Sequence, residues 1–160
     1  MSSCMKWCIG VFVILMLVGG LLWYRQQGAS SALLYTNTQY GYAVHYPKDL
    51  PLDTQDPKAV SIGVVSFEPG PGALFMSVDE GEALVTPAEL QDQTGSQCQE
   101  MVLAASPAVH CAGSEGFAGG STTTYMVQVG TNLLSFYYIH GDEASNHQME
   151  AIVKSLEIKK

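Results

Sequence analysis

One run of the sequence restricts the fold more than any other: Trp7–Tyr24 (WCIGVFVILMLVGGLLWY) contains no charged residue. As a helix this run would span ~27 Å, which is about the hydrocarbon thickness of a bilayer. Lys6 and Arg25 flank the run, and the aromatic residues at its two ends favour the membrane interface. A helix buried in a soluble core rarely lacks a polar face over this length. The run therefore predicts a transmembrane segment within residues 1–25.

Two topologies are compatible with this run. In the first, residues 1–25 are an uncleaved signal anchor, residues 26–32 are a short tether, and residues 33–160 form a domain outside the cytoplasm. In the second, the run is a secretory signal peptide that is cut near the small residues of Gly28–Ala32. The run is longer than a usual signal-peptide core and ends in bulky aromatic residues. These properties favour the anchor, and they predict a single-pass protein of the cell membrane with its C-terminal domain outside the cytoplasm.

The charge of the chain changes after the apolar run. Residues 26–160 contain five lysines and all 15 acidic residues, so their formal charge is 5 minus 15, or −10. Nucleic acids and anionic lipid surfaces require Lys and Arg to neutralise phosphate. The composition therefore excludes nucleic acid as a partner. The expected partners are membrane lipid, through the N-terminal helix, and an unidentified envelope protein; no sequence motif indicates a cofactor.

The periodicity of residues 33–160 predicts an α+β domain. In Tyr40–Pro47 (YGYAVHYP) three tyrosines and a valine fall on one face of a strand, where we expect them to form core. Two hairpins are expected, one turning at Pro69–Gly72 and the other at Gly130–Asn132. One helix is expected to begin with a capping box at Thr86, and a second, amphipathic helix closes the chain. The predicted architecture is an antiparallel β-sheet domain with two packed helices.

Three shorter patterns predict local structure. Asp49–Pro57 is rich in Asp and Pro and predicts a loop. Ser145 and Gln148 have the spacing of a capping box for the last helix. Ser106-Pro107 separates two short apolar stretches and predicts a turn between two strands.

Two stretches of the chain resemble PsbP-like domains, which are small α+β domains of bacterial membrane-anchored or secreted proteins. Tyr35 followed by Tyr40–Pro47 resembles the way such domains begin, and Met149–Ile158 (MEAIVKSLEI) resembles the way they end. The resemblance covers about Leu33–Lys160 in the order of elements. It implies an extracytoplasmic, non-enzymatic binding or assembly module, and it assigns no functional residue.

Three residues before and within the last helix, His140, Asp142 and His147, support an alternative function. Two imidazoles and a carboxylate are ligands that transition metals accept, so one hypothesis is a metal-binding sensor or a metal-dependent enzyme. The other interpretation is a loop-to-helix junction in which Asp142 is a helix-start residue. His110 and Cys111 do not predict a base and a nucleophile acting together, because neighbours in a strand point to opposite faces. The leading hypothesis is therefore a non-catalytic module of the cell envelope.

The glycine-rich stretch Gly113–Gly120 (GSEGFAGG) predicts a flexible loop. Phe117 is its only large apolar residue, and its ring either folds back onto the core or contacts a partner. The sequence therefore predicts a partner-binding loop made of Glu115, Gly116, Phe117 and Ala118.

Cys98 and Cys111 are the only cysteines beyond the membrane segment, and an even pair in an oxidising compartment usually forms a disulfide. With a turn at Ser106-Pro107, regular strand pairing offsets the two cysteines well beyond the ~4–7 Å Cα separation that a disulfide tolerates. The predicted bond therefore requires Cys98 to lie in a loop that folds back over the strand of Cys111.

Overall fold

The computed structural model describes residues 32–64, 71–115 and 120–159. Apart from Ala32, these residues belong to the second of the two compact units into which the chain divides, Leu33–Lys160. The strands are β1 (Ala32–Asn37), β2 (Tyr42–Pro47), β3 (Leu52–Asp56), β4 (Ala59–Ile62), β5 (Leu74–Glu80), β6 (Gln97–Leu103), β7 (Ser106–Glu115), β8 (Ser121–Val129), β9 (Asn132–Ile139) and β10 (Glu157–Ile158). The helices are α1 (Pro87–Thr94) and α2 (Glu143–Lys154).

The strands form two sheets. The larger sheet has the order β3-β4-β5-β9-β8-β7-β6, and each pair of neighbouring strands in it is antiparallel. The smaller sheet has the order β1-β2-β10. The hairpins β4–β5 and β8–β9 lie where the sequence predicts them. The predicted α+β domain, an antiparallel β-sheet domain with two helices, is confirmed for the described residues.

The predicted anchor, residues 1–25, lies outside the described residues. The tether does so as well, except for Ala32, which begins β1. Within residues 32–64, 71–115 and 120–159, neither helix is long and apolar enough to cross a membrane. The anchor therefore stays a prediction.

The main core lies against one face of the larger sheet, which we call the inner face. Along β5, Leu74, Met76 and Val78 point to this face and are buried, because side chains in a strand alternate between its two faces. Helix α2 adds Met149 and Val153 to the same buried cluster. The amphipathic stripe that was predicted for the last helix is therefore confirmed.

The opposite, outer face is partly covered by α1. Leu90 of this helix forms a second buried cluster with Val109 and Cys111 of β7. Because Cys111 belongs to this cluster, the disulfide described below lies on the outer face.

The tyrosines of YGYAVHYP are core residues, as predicted. Tyr40, Tyr42 and Tyr46 are all buried. The hydroxyl of Tyr40 donates a hydrogen bond of 2.7 Å to Glu80, and the same carboxylate lies 3.0 Å from the ammonium of Lys58. The rings therefore fill the core, and one hydroxyl reaches a polar group at the rim.

Helix α1 begins as predicted. The Thr86 side chain accepts from the Glu89 N–H at 3.4 Å, and the Glu89 carboxylate accepts from the Thr86 N–H at 3.0 Å, which completes a capping box. Gly95 ends the helix with a φ of 68°, in the left-handed region that favours glycine.

Helix α2 begins at its N-cap Asp142, as the loop-to-helix interpretation predicts, and not at the capping box predicted at Ser145. The Asp142 side chain accepts a hydrogen bond of 2.8 Å from the Ser145 N–H and caps the helix. The predicted capping box at Ser145 and Gln148 is therefore wrong, because Ser145 already lies within the first turn. In a capping box at Ser145 and Gln148, the Gln148 side chain would accept a hydrogen bond from the Ser145 N–H. The Asp142 carboxylate already accepts from that N–H.

Two strands extend into segments that the sequence predicts as loops. β3 lies within Asp49–Pro57, and it forms because Leu52 pairs with Ile62 of β4. β7 continues past Gly113, where φ is 84° and a bulge shifts the pairing with β8. In both places pairing with a neighbouring strand overrides weak local strand propensity.

The strands β6 and β7 are joined by a two-residue turn at Ala104 and Ala105. Leu103 pairs with Ser106, and the φ angles of the two alanines, 50° and 61°, are the positive values that a type I′ turn requires. The turn predicted at Ser106-Pro107 is therefore wrong, and both of these residues belong to β7. Proline is a strong turn signal. Alanine is not, because the left-handed conformation that this turn requires is energetically unfavourable for alanine.

Candidate functional site

The turn at Ala104 and Ala105 brings Cys98 and Cys111 opposite each other. Cys98 pairs with Cys111 in the ladder, their Cα atoms lie 4.1 Å apart, and the two residues form a disulfide. The predicted bond is confirmed. The expectation that regular pairing would separate the cysteines is wrong, because it assumed a turn two residues too late. The bond joins two regular strands and requires no folded-back loop.

Most of the predicted partner-binding loop lies outside the described residues. Of its four residues, only Glu115 has a described backbone, and it pairs with Ser121 at the end of the β7–β8 hairpin. Gly116, Phe117 and Ala118 follow it and are not described. This loop stays a prediction.

The three residues of the alternative metal site have separate partners. Nε2 of His140 lies 2.7 Å from the Thr123 hydroxyl, Asp142 caps α2, and His147 is an exposed helix residue 3.7 Å from Glu143. Within the described ranges, no group of three His, Cys, Asp or Glu side chains is placed to hold a metal ion. His140, Asp142 and His147 therefore do not form one site.

Strand β6 lies at an edge of the larger sheet. Among the described strands, β7 alone pairs with it, and the pairing runs in unbroken register from Gln97 to Leu103. The side chain of Val102 is 71% exposed, the largest exposure among the big apolar residues of the described chain. We call the side of β6 that faces away from β7 the β6 edge.

The register determines which backbone groups the β6 edge presents. In a hairpin with a two-residue turn, the pair that flanks the turn exchanges hydrogen bonds, and so does every second pair along the ladder. Leu103 and Ser106 flank the turn, so the odd-numbered residues of β6 bond to β7. The residues between them, Cys98, Glu100 and Val102, direct their N–H and C=O groups to the edge. The 4.1 Å Cα separation at the disulfide agrees, because non-hydrogen-bonded pairs have the shorter spacing.

Two cavities of about 250 Å³ each lie beside this strand. The first, the outer cavity, is mostly apolar. Its lining includes Leu84, Val85, Pro87, Pro107, Val109 and Glu100. The second, the inner cavity, is more polar and is lined by Gln97, Cys98, Gln99, His110 and Ala112. The two cavities therefore differ in the side chains that they would accept.

His110 is the titratable group of the inner cavity. Its ring lies 4.6 Å from the ring of Tyr125, and its Nδ1 lies 3.4 Å from the amide nitrogen of Gln99. Burial lowers the pKa of His110 below 6.5, while Glu150 and Lys154 of α2 act on it in opposite directions. Burial therefore favours the neutral form of the ring. Because a carboxamide nitrogen donates, Nδ1 accepts and the ring proton lies on Nε2.

The β6 edge suits the binding of an extended chain. In strand addition, main-chain hydrogen bonds provide affinity, and pockets for alternate side chains provide specificity. β6 offers the N–H and C=O groups of three residues, and the two cavities provide places for side chains on either face.

Sequence reasoning did not identify this edge, although one signal was available. Taking Cys98 and Cys111 as a directly opposed pair places the turn midway between them, at Ala104 and Ala105. That register would have predicted β6 as a regular strand of seven residues. The identity of the edge strand itself depends on the order of all seven strands, which no local pattern contains.

Comparison with known proteins gives similarity in fold alone. No protein-family model matches the chain, and no curated protein matches it. The chain is similar to the solution structure of cyanobacterial PsbP (CyanoP) from Synechocystis sp. PCC 6803, with 12% identity and a TM-score of 0.48 over 81% of this chain and 93% of that one. It is also similar to a crystal structure from Bacteroides thetaiotaomicron VPI-5482, with 14% identity and a TM-score of 0.49, over 81% of this chain and 48% of that one.

The first of these structures is a PsbP, the kind of domain that the sequence resembles.

Proposed function

We propose that this chain is a membrane-anchored, extracytoplasmic module that binds or helps to assemble another protein of the cell envelope, and that it does so through the β6 edge. The observation that carries the proposal is the edge itself, a regular seven-residue strand that a disulfide joins to β7 and that has a cavity on each face. A strand that is already ordered loses little conformational freedom when a partner binds. The proposed function is binding, and it does not include a catalysed reaction.

Two observations support the location. Disulfides form and persist in oxidising compartments, and Cys98–Cys111 is such a bond. The uncharged run Trp7–Tyr24 has the length and flanks of a membrane anchor. A reporter fused after Lys160 tests this part of the proposal: it should be active outside the cytoplasm, on a chain that keeps its N-terminus. A mature chain that begins near Ala32 would replace the anchor with a signal peptide.

Site-specific photo-crosslinking in native membranes tests the binding surface. A photoreactive residue is placed in the full chain at Val102 on the β6 edge, at Phe117 in the predicted loop, or at Asp53 on β3. Asp53 is the matched control, because β3 is the other edge strand of the same sheet and this residue is exposed. We expect a discrete protein adduct from position 102 and none from position 53.

Two outcomes would contradict this assignment. An adduct from position 117 without one from position 102 would move the binding surface to the loop. Equal adducts from all three positions, or none from any, would remove the β6 edge from consideration.

A further inference from the structure

Building on the binding function proposed above, we infer that the β6 edge takes an extended segment of its partner, antiparallel to β6, in which a basic residue follows an apolar residue by two positions. The inference depends on the backbone direction of β6 and on the side chains of its outer face.

The backbone determines the register of the added strand. A partner strand exchanges hydrogen bonds with Cys98, Glu100 and Val102, the residues whose N–H and C=O groups face the edge. Every described strand pair of the larger sheet is antiparallel, and antiparallel ladders are slightly more stable than parallel ones. In an antiparallel addition, the partner residue opposite Val102 precedes the residue opposite Glu100 by two positions.

The apolar requirement comes from Val102. Its side chain is 71% exposed and pairs with Pro107, which lines the outer cavity together with Leu84 and Val85. A partner side chain directly opposite Val102 lies on the same face. An apolar group there removes Val102 from water and contacts the apolar rim of the cavity.

The basic requirement comes from two carboxylates beside the same cavity. Glu100 lines the cavity and is exposed. The Glu89 carboxylate lies 2.8 Å from the hydroxyl of Thr86, which is another lining residue. Among the described residues that line the outer cavity there is no Lys or Arg. A lysine or arginine opposite Glu100 therefore complements the charge of this face, and it also complements the −10 charge of residues 26–160.

The inner face adds a weaker preference. The partner residue that follows the basic one lies opposite Gln99, which lines the inner cavity with His110. The Gln99 amide and the neutral imidazole favour a side chain with hydrogen-bonding groups, such as an amide or a hydroxyl.

A second copy of this chain fits the edge less well. Antiparallel pairing of two β6 strands about their central residue places Glu100 of each copy opposite the other, and like charges in that position are destabilising. Each copy also brings the full negative charge of its domain. We therefore assign the edge to a different protein.

Synthetic peptides test the inference on the full chain in detergent. The first peptide is threonine-rich and contains valine, threonine and lysine in that order; the second has glutamate in place of lysine. Binding is followed by fluorescence anisotropy. We expect the lysine peptide to bind about fivefold more tightly than the glutamate peptide, in the range of an exposed charge pair, and we expect Glu100→Lys to reverse the preference.

N-methylation of the peptide backbone is the matched test of strand addition. Methylation of the valine or lysine amide removes a group that faces β6, and it should abolish binding. Methylation of the threonine amide between them removes a group that faces away, and it should leave binding within about twofold of the parent, because no hydrogen bond to β6 is lost.

The inference fails if neither peptide binds, if Glu100→Lys does not change the preference, or if the three methylated peptides bind alike. It also fails if sedimentation shows a dimer that Val102→Lys dissociates, since the occupant would then be a second copy. An adduct from position 102 with a failed charge reversal would leave the proposed function intact and reject only this inference.

Discussion

The larger sheet ends in β3 on one side and in β6 on the other, and the two edge strands differ in length, regularity and charge. β3 has five residues, its pairing with β4 is interrupted between Asp53 and Asp56, and both of these carboxylates accept hydrogen bonds from nearby backbone N–H groups. β6 has seven residues in unbroken register, with Glu100 as its only charged residue.

Natural sheets protect their edges with short strands, charges, prolines and bulges. β3 uses three of these devices, being short, bulged and acidic, whereas β6 is stabilised by a disulfide instead. The comparison indicates that β3 is protected against further pairing, whereas β6 is ordered and, among the described strands, pairs on one side alone. The following predictions, from the largest expected effect to the smallest, test this difference.

Removal of the disulfide should have the largest effect. In a Cys98→Ala, Cys111→Ala double variant we expect a loss of ~3 kcal/mol in the free energy of unfolding, because the bond closes a loop with a sequence separation of 13. Urea unfolding of the full chain in detergent measures the loss. Hydrogen exchange should speed up in β6 and β7 but not in β3. A loss below ~1 kcal/mol would show that β6 does not depend on the bond.

Proline substitutions at adjacent positions of β6 should differ in cost. The N–H of Gln99 is directed to β7, whereas that of Glu100 is directed to the edge. Gln99→Pro should therefore destabilise the chain by about 1–3 kcal/mol more than Glu100→Pro, since only the former leaves a ladder acceptor without its donor. Equal costs, measured by urea unfolding, would mean that the N–H of Glu100 is not free.

Two substitutions in the turn between β6 and β7 should increase the stability of the chain. Ala104→Asn with Ala105→Gly should stabilise the chain by about 1 kcal/mol, because both positions have positive φ and Asn-Gly is favoured in type I′ turns. The same dipeptide in place of Ser106 and Pro107 is the control and should give no gain. A gain in stability from the control alone would show that the turn lies at Ser106-Pro107, the position predicted from the sequence.

The two sides of the sheet should also differ in their response to pH. The hydrogen bond from Tyr40 is the largest cause that lowers the pKa of Glu80 below 4.5, and Lys58 is the second. The contribution of Glu80 to stability is therefore present above pH 4.5, and it is lost as the pH falls through the lowered pKa of the folded state. Burial lowers the pKa of His110 below 6.5, so the unfolded state binds this proton first and stability begins to fall below pH 6.5. Glu80→Gln should remove the loss of stability below pH 4.5 that Glu80 causes, and His110→Gln should remove only the loss that begins below pH 6.5. A His110→Gln profile identical to that of the parent would contradict the burial of this ring.

Local signals in the sequence predicted much of this fold. Thr86 and Glu89 mark a helix start because their side chains satisfy N–H groups within one turn, and Gly95 marks its end because glycine tolerates positive φ. Tyr42 is core because alternation alone places it on the buried face. Each of these structures is decided by residues only a few positions apart.

The rest depends on contacts between distant residues. Ala104 and Ala105 adopt a left-handed conformation that their own propensity disfavours, and the ladder and the disulfide on either side offset the cost. β3 forms because β4 offers it a partner. The β6 edge is a property of strand order, so neither its place at the end of the sheet nor its two cavities could be derived from the residues of β6.

Residue-specific amide hydrogen exchange of the full chain tests the central claim most directly. If the β6 edge is free, the amides of Cys98, Glu100 and Val102 exchange rapidly while those of Gln99 and Met101 are protected, and the lysine peptide slows the first three. Protection of Cys98, Glu100 and Val102 equal to that of their neighbours, before any peptide is added, would contradict the account.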